Sequence, residues 1–374
     1  MKKLLFIHTE IVWYRITLFK EISKLLYTNF VFSKVEEKTS DYAGLKSDKK
    51  QLDNLNICIF NDKGRISWRT IRKSIIDDYD FLMTPYPDSP DLKIESLLCS
   101  IFAKIRKKKV CLYWERWIAK DQKLSFKEKF KRFLLLLYIK LLSLFVDCFL
   151  VPGTNSKNLY LQLGIKQKRI KEVYNASLIN ECGNKINIRK KYNIENNKKI
   201  ILFFGRVVRI KGLDILIKAF EKIKNNSCVL LVCGDGDEMP KCREYVMKNN
   251  IKNIIFVGLI QPKDRYSYYS QSDVFVLPNR FLGTLEAWGL SINEAMQFGL
   301  PIIATNATGA SKDLIQNDYN GYVVEQENIE ELRNAIERII ESPNIRKMGE
   351  NSKIIISKYN YENQAKLIVK AFLE

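Results

Sequence analysis

Two carboxylates in the second half of the chain have a type and spacing suited to binding a phosphate-bearing ligand. Glu286 and Glu294 have seven residues between them, within the glycine-rich stretch 282–315. The pattern predicts that Glu286 lies in the loop just before a helix and that Glu294 lies in the first turns of that helix. Because the free N–H groups at a helix N-terminus attract phosphate, we expect both carboxylates to face one ligand there.

Two cations lie on a predicted loop between a strand and a helix. Residues 200–204 form an apolar run of strand length, Gly205 ends it, and a helical pattern begins near Leu213, so Arg206 and Lys211 fall between them. In parallel α/β domains, ligands bind at the carboxyl ends of the strands. Arginine supplies a planar fork of donors and lysine a mobile point charge, which together suit a diphosphate. The alternative is an ordinary exposed pair of cations on a connecting loop.

These motifs resemble those of the retaining glycosyltransferases with the GT-B fold. The resemblance rests on "GRVVRIKG", on the two spaced glutamates and on "GLPIIAT", and it covers about residues 200–324. The segment "EAWGLSINEAM" is similar to the corresponding segment of enzymes that assemble O-antigen and capsule repeat units. The resemblance implies an α/β chain with two Rossmann-like domains facing each other across a cleft. It also implies sugar transfer from a nucleoside diphosphate donor with retention, without a metal or other cofactor.

The resemblance implies a role for each residue of the donor site. Arg206 and Lys211 would hold the diphosphate, Glu286 would contact the sugar hydroxyls, and Glu294 would contact the ribose. Further donor-binding positions would be Gly205, Gly258, Leu259, Gly289 and Leu290. Two alternatives stay open, since Glu294 could only charge the first turn of its helix and Glu286 could be an ordinary surface acid. The turn at Gly234 and Gly236 is interpreted as a tight turn rather than a phosphate loop.

Candidates for the catalytic and acceptor side lie in the first half of the chain. Glu115 follows a predicted strand over 110–114 and is a candidate for contact with the acceptor hydroxyl or the donor sugar; the alternative is an ion pair with a nearby arginine. His8 ends the first predicted strand, although a lone histidine is more often structural.

The segment after the first predicted strand departs from the glycine-rich loop of many relatives. It carries instead a set of polar and aromatic residues: Glu10, Trp13, Tyr14 and Arg15. We expect the aromatic pair to stack on a sugar ring or meet a lipid, and the arginine to meet an acceptor phosphate. The identity of the acceptor therefore cannot be transferred from better-known relatives.

The chain length and the alternation of elements predict the domain organisation. A chain of 374 residues suits two domains, and alternating strand-like and helix-like runs in both halves predict parallel sheets. The resemblance implies an acceptor-binding domain over 1–178, a nucleotide-sugar-binding domain over 179–356 and a final helix over 357–374 that crosses back to the first domain. The cysteine and histidine content argues against a zinc site. The chain has eight cysteines without a C-x-x-C pair and one histidine, which fits a reducing cytosol.

The net charge of +20 indicates an anionic partner or surface. A basic cluster at 123–132 precedes an apolar run at 133–153, which predicts an amphipathic helix with a basic rim on anionic lipid. Simple packing on the sheet is one alternative, and a membrane span, interrupted by Lys140 and Asp147, is another. We therefore expect a cytoplasmic protein on the inner face of the cell membrane. It would transfer a sugar from a UDP-sugar donor, or as the second choice from a GDP-sugar donor, to a lipid-linked saccharide.

A sugar-nucleotide epimerase and a nucleic-acid binder are the rival interpretations, but the chain lacks the basic-aromatic motif of the latter.

Overall fold

The computed structural model describes most of the chain in two compact units. The described residues are 2–9, 11, 13–33, 52, 54–60, 66–119, 125–178, 185–224, 227–282 and 285–374. The first unit draws on Met1–Trp117, Lys123–Asn175 and Asn360–Glu374, and the second is formed mainly by Ala176–Tyr359. The sequence-based boundaries, after residues 178 and 356, lie within a few positions of the points where the chain changes unit.

The described residues of the first unit contain a seven-stranded parallel sheet. Its strands are β1 Lys3–His8, β2 Tyr27–Phe32, β3 Asn56–Ile59, β4 Phe81–Met83, β5 Lys109–Tyr113, β6 Cys148–Val151 and β7 Ile170–Glu172. They lie in the order β3-β2-β1-β4-β5-β6-β7. Central strands such as β1, with Leu4 to Ile7 at most 3% exposed, are apolar on both faces because helices cover the two sides of a parallel sheet.

The described residues of the second unit contain a six-stranded parallel sheet. Its strands are β8 Lys199–Phe204, β9 Cys228–Cys233, β10 Ile254–Gly258, β11 Val274–Leu277, β12 Ile302–Thr305 and β13 Gly321–Val324. They lie in the order β10-β9-β8-β11-β12-β13. The chain therefore reverses its direction of travel between β8 and β11, which leaves a crevice at the carboxyl ends of these two strands. The first unit has the same feature between β1 and β4.

The helices alternate with the strands, as the sequence pattern predicts. Their bounds are α1 Ile16–Leu25, α2 Trp68–Ile76, α3 Pro90–Ile105, α4 Phe126–Leu142, α5 Thr154–Gln162, α6 Ile188–Lys191, α7 Leu213–Glu221, α8 Met239–Lys248, α9 Arg265–Ser270, α10 Leu290–Gln297, α11 Ser311–Leu314, α12 Ile329–Ile340, α13 Ile345–Ile356 and α14 Tyr361–Leu373. Helix α14 belongs to the first unit, where the Tyr361 hydroxyl donates to the Tyr14 carbonyl at 2.5 Å and the Phe372 ring stacks on Phe81.

The long apolar run at 133–153 is divided between two elements. Helix α4 ends at Leu142, and strand β6 begins at Cys148. Across the described ranges, none of the helices has both the length and the apolar character that a bilayer crossing requires.

Candidate functional site

The loop after β8 is held in place by close backbone packing. It contains Gly205, Arg206 and a short 3-10 turn, Arg209–Lys211, and it ends at Gly212, which precedes α7. Gly212 has a left-handed φ of +67°, and a Cβ there would lie 1.9 Å from the carbonyl oxygen of Pro278. Only glycine fits this position without strain, so the loop after β8 lies directly against the end of β11.

This packing brings Lys211 to Glu286. The Lys211 ammonium donates to Oε2 of Glu286, and the two side chains are 11% and 21% exposed. Arg206 lies on the same loop and is exposed. A cation and a carboxylate that are 75 positions apart in sequence therefore meet at the crevice between β8 and β11.

The segment that carries Glu286 is fixed by backbone contacts to the loop after β12. Glu286 forms a parallel bridge with Thr308, and its carbonyl accepts from the N–H of Gly309 at 3.1 Å. Gly289 immediately precedes α10, which begins at Leu290. The free N–H groups of the first turn of α10 therefore follow closely after Glu286, as the spacing predicts.

Glu294 is held by two donors from α9. The side chain of Arg265 lies 3.2 Å from Oε1, and the Tyr269 hydroxyl donates to Oε2 at 2.7 Å. Burial, together with the nearby Glu294 carboxylate, raises the pKa of Tyr269 well above its ordinary value, so this hydroxyl stays protonated. The first turn of α10 contains no acidic residue, so the alternative that Glu294 charges that turn is wrong.

The turn at Gly234 and Gly236 packs against the loop after β8. A Cβ on Gly234 would lie 1.8 Å from the carbonyl oxygen of Gly205, and the N–H of Val207 donates to the carbonyl of Asp235 at 2.8 Å. The Gly234 N–H in turn donates to the carbonyl of Gly258 at 2.8 Å. Gly234 is therefore needed where two backbones touch, in keeping with the interpretation as a tight turn.

Two further positions of the predicted donor site lie at the carboxyl end of β10. Gly258 is the last residue of β10, and Leu259, directly after it, is 46% exposed. Asn279 follows β11 and is fully buried, and its amide donates to the Thr308 hydroxyl at 3.1 Å. The carboxyl end of β10 thus carries two predicted positions, and Asn279 links the end of β11 to the loop after β12.

A second polar cluster lies at the reversal point of the first unit. The guanidinium of Arg15, whose side chain is 10% exposed, donates to Oε1 of Glu115 at 2.5 Å and to the Tyr86 hydroxyl. It also lies 3.3 Å from Nε2 of His8. The sequence-predicted residues Arg15, His8 and Glu115 are therefore brought together by the ends of β1, β4 and β5.

This cluster contains the ion pair that was the alternative for Glu115. Its partner is Arg15, a hundred positions away in sequence, rather than the adjacent Arg116. Tyr14 is half-buried, and its ring centroid lies 5.9 Å from the Arg15 guanidinium. Glu10 and the side chain of Trp13 lie outside the described residues.

Sequence reasoning missed three residues that contact predicted ones. Tyr86 follows the short strand β4, and its position at a strand end is the signal that would have found it; burial raises its pKa well above the ordinary value. Arg265 and Tyr269 lie on α9, whose sequence "RYSYYS" carries no spacing that points to Glu294. Among the described residues, no cluster of three or more His, Cys, Asp or Glu side chains could hold a metal ion.

Known proteins resemble this chain in both sequence and fold. A family model for glycosyl transferases group 1 matches residues 184–355. An uncharacterized glycosyltransferase of Methanocaldococcus jannaschii, MJ1069, is 28% identical over 84% of this chain and 79% of its own length. The O-antigen biosynthesis glycosyltransferase WclY of Escherichia coli is 28% identical over 44% of each chain. The chain spans about half the length of several other curated relatives, 48% of one and 52% of another.

A solved structure extends the likeness to the whole chain. The crystal structure of Anabaena HepE in complex with UDP and glucose has a TM-score of 0.74 at 17% identity and covers 99% of both chains. At this level of identity the likeness concerns the fold, and it confirms the predicted GT-B class.

Proposed function

We propose that the protein transfers a sugar from a nucleoside diphosphate donor to a saccharide acceptor, on the premise that residues 184–355 match the family model for glycosyl transferases group 1. The observation that carries the proposal is the Lys211–Glu286 ion pair at the crevice between β8 and β11, with Arg206 on the same loop. Reversal points of this kind are where α/β sheets bind nucleotides.

The cations act on the leaving group. As the glycosidic bond loosens, negative charge builds on the diphosphate, and Arg206 and Lys211 stabilise it together with the N–H groups at Gly289 and Leu290. Glu286 then accepts hydrogen bonds from the hydroxyls of the sugar. The chain supplies this charge stabilisation from its own side chains, so we propose a transfer that needs no metal.

Glu294 is proposed to bind the ribose. Arg265 and Tyr269 occupy one position on each of its carboxylate oxygens. A carboxylate oxygen has a second lone pair, so both oxygens keep the capacity to accept a hydrogen bond from a ribose hydroxyl. The two donors from α9 fix the orientation of the carboxylate before the nucleotide arrives.

The donor is proposed to be a UDP-sugar, with a GDP-sugar as the second choice. The structural relative HepE has been crystallised with UDP and glucose, which favours uridine. We propose retention at the anomeric carbon, with the departing phosphate accepting the proton of the acceptor hydroxyl on the same face. This route does not require a protein base.

The acceptor is proposed to be a lipid-linked saccharide of a surface glycan, met at the inner face of the cell membrane. The name of the relative WclY, an O-antigen biosynthesis enzyme, supports this choice. Glu115 and His8, with Tyr14 and Arg15 beside them, are proposed to serve the acceptor side.

A thermal-shift panel tests this function directly. A ligand that binds only the native state raises the melting temperature by mass action, so UDP and its sugars should raise it in the wild type and not in Lys211→Ala. The matched control is Arg209→Ala, which removes an exposed cation from the same loop and should keep the shift. Donor-dependent release of UDP on adding lipid-linked acceptors then identifies the transfer. A panel in which no nucleotide raises the melting temperature contradicts the proposal.

A further inference from the structure

The outward face of α4 is apolar along the whole helix. The exposed apolar side chains are Phe126 (87%), Phe130 (55%), Phe133 (61%), Leu134 (47%), Leu137 (54%) and Leu141 (45%). Their spacing places them within one stripe, because a helix turns by about 100° per residue. A surface helix normally directs polar residues outward, so this stripe is an exception.

The opposite face of α4 is already used for folding. Leu135, Ile139 and Leu142 are at most 8% exposed, and the Tyr138 hydroxyl donates to the carbonyl of Lys93 on α3 at 2.9 Å. A capping box between Ser125 and Glu128 closes the N-terminus of the helix. The helix is therefore anchored on one side, and its exposed stripe is not required to complete the core.

Lysines border the stripe on both sides. With Phe126 as the reference direction, Lys127 lies beside one edge, and Lys129 and Lys140 lie beside the other. All three are exposed. Aromatic and leucine side chains flanked by lysine are the composition of helices that lie in the interface of an anionic bilayer. A contiguous exposed apolar patch marks an interaction surface, and the lysines give that surface positive charge.

We propose that the Phe126–Leu141 stripe docks on an anionic lipid bilayer, with the rings at the boundary between headgroups and acyl chains and the lysines against lipid phosphates. The charge favours lipid as the partner rather than a second copy of this chain. Two chains of net charge +20 would bring their lysine borders together, and like charges repel each other. The biological purpose of this docking rests on the proposed function, in which the acceptor is lipid-linked. The binding itself requires neither donor nor transfer.

Vesicle flotation tests the docking surface without any nucleotide. The wild type should float with vesicles of phosphatidylcholine and phosphatidylglycerol, and much less with phosphatidylcholine alone. The triple variant Phe130→Gln, Phe133→Gln, Leu137→Gln should lose at least about tenfold in binding, because its apolar contact area is removed while its charge is kept. The pair Lys127→Gln, Lys140→Gln should bind more weakly and respond less to salt.

The controls separate lipid binding from folding and from donor binding. Trp68→Gln removes a large apolar side chain that is 66% exposed on α2, and it should bind vesicles like the wild type. The triple variant should keep the melting temperature and the UDP-induced shift of the wild type. A wild type that stays in solution with anionic vesicles while UDP still raises its melting temperature overturns the docking proposal alone. The docking proposal is also overturned if sedimentation shows a dimer that the triple variant loses and no vesicle binding is seen.

Discussion

The Lys211 ammonium is paired with the Glu286 carboxylate, so the cation proposed for the donor diphosphate is held by the acid proposed for the donor sugar. The pair is largely buried, with side chains 11% and 21% exposed. It therefore keeps Lys211 in place before a nucleotide binds. We expect the ammonium to gain a phosphate oxygen when the donor binds, so that Glu286 becomes available to the sugar hydroxyls. The following predictions depend on this exchange and on the contacts that support it.

Removing either cation of the β8 loop should slow the transfer while the fold is kept. We expect Arg206→Ala and Lys211→Ala each to lower turnover by about 10²-fold or more, because each removes a donor that stabilises charge in the transition state. Initial rates with a saturating UDP-sugar measure the effect, and circular dichroism checks the fold. Arg209→Ala, from the same 3-10 turn, is the control and should stay near the wild-type rate. A folded Lys211→Ala enzyme with normal turnover would remove Lys211 from the mechanism.

Glu286→Gln should separate donor binding from transfer. The amide keeps the shape of the side chain but removes a negative charge beside the diphosphate, so UDP should bind at least as tightly as in the wild type. Transfer should fall by about 10²-fold, because the amide orients the sugar hydroxyls less well. Calorimetry with UDP and rate measurements provide the two readings. Clearly weaker UDP binding in the variant would show that Glu286 acts mainly by holding Lys211 and the loop after β8 in place.

Tyr269→Phe should weaken nucleotide binding through Glu294. The variant removes the hydroxyl that donates to Oε2 at 2.7 Å, so the carboxylate loses one of its two anchors. A hydrogen bond to a charged group is worth about 1.5–3 kcal/mol, and we expect a loss of UDP affinity of about tenfold. Turnover at saturating donor should change little, because Tyr269 positions Glu294 rather than touching the reacting atoms.

The adjacent Tyr268→Phe is the matched control for this effect. Tyr268 is equally buried, and its hydroxyl lies 3.1 Å from that of Tyr192. It should lose some stability and keep its UDP affinity. Equal losses of affinity in both variants would assign the effect of Tyr269→Phe to general loosening of α9.

Gly212→Ala should destabilise the second unit. The added Cβ would meet the Pro278 carbonyl at 1.9 Å, so the β8 loop would have to move away from the end of β11. We expect a loss of more than about 2 kcal/mol, the left-handed φ alone accounting for about 1–2 kcal/mol. Gly164→Ala is the control, since Gly164 has a similar φ of +79° with nothing within 4 Å of the added atom. Chemical denaturation compares the two, and similar losses in both would show that the close approach to Pro278 is not costly.

Arg15 and Glu115 should be energetically coupled. Their contact at 2.5 Å is largely buried, so the double variant Arg15→Gln, Glu115→Gln should lose less stability than the sum of the single variants. Neighbours of this kind typically couple by about 0.5–3 kcal/mol. Both single variants should bind UDP like the wild type and transfer sugar more slowly. Weakened UDP binding in either variant would place this cluster on the donor side.

The sequence allowed the strands to be located, together with the residues proposed to bind the donor at their ends. The apolar run that Gly205 ends marked β8, and the spacing of the two glutamates correctly placed Glu286 before α10 and Glu294 within it. The resemblance also implied a final helix over 357–374, and α14 covers Tyr361–Leu373. These successes depend on local patterns, which a sequence displays directly.

The partners of these residues could not be predicted, because they depend on packing between distant segments. Nothing in the sequence near Glu294 indicates that Tyr269 donates to it. Likewise, Glu115 is paired with Arg15 rather than with its neighbour Arg116 because β1 and β5 bring their ends to the same edge of the sheet. The order of the strands decides these contacts, and a single sequence does not display it.

A crystal structure with UDP tests the central claim most directly. We predict that the diphosphate lies between Arg206 and Lys211, close to the N–H groups at Gly289 and Leu290, and that the ribose contacts Glu294. Density for UDP at another place, with the crevice between β8 and β11 left empty, would contradict the account.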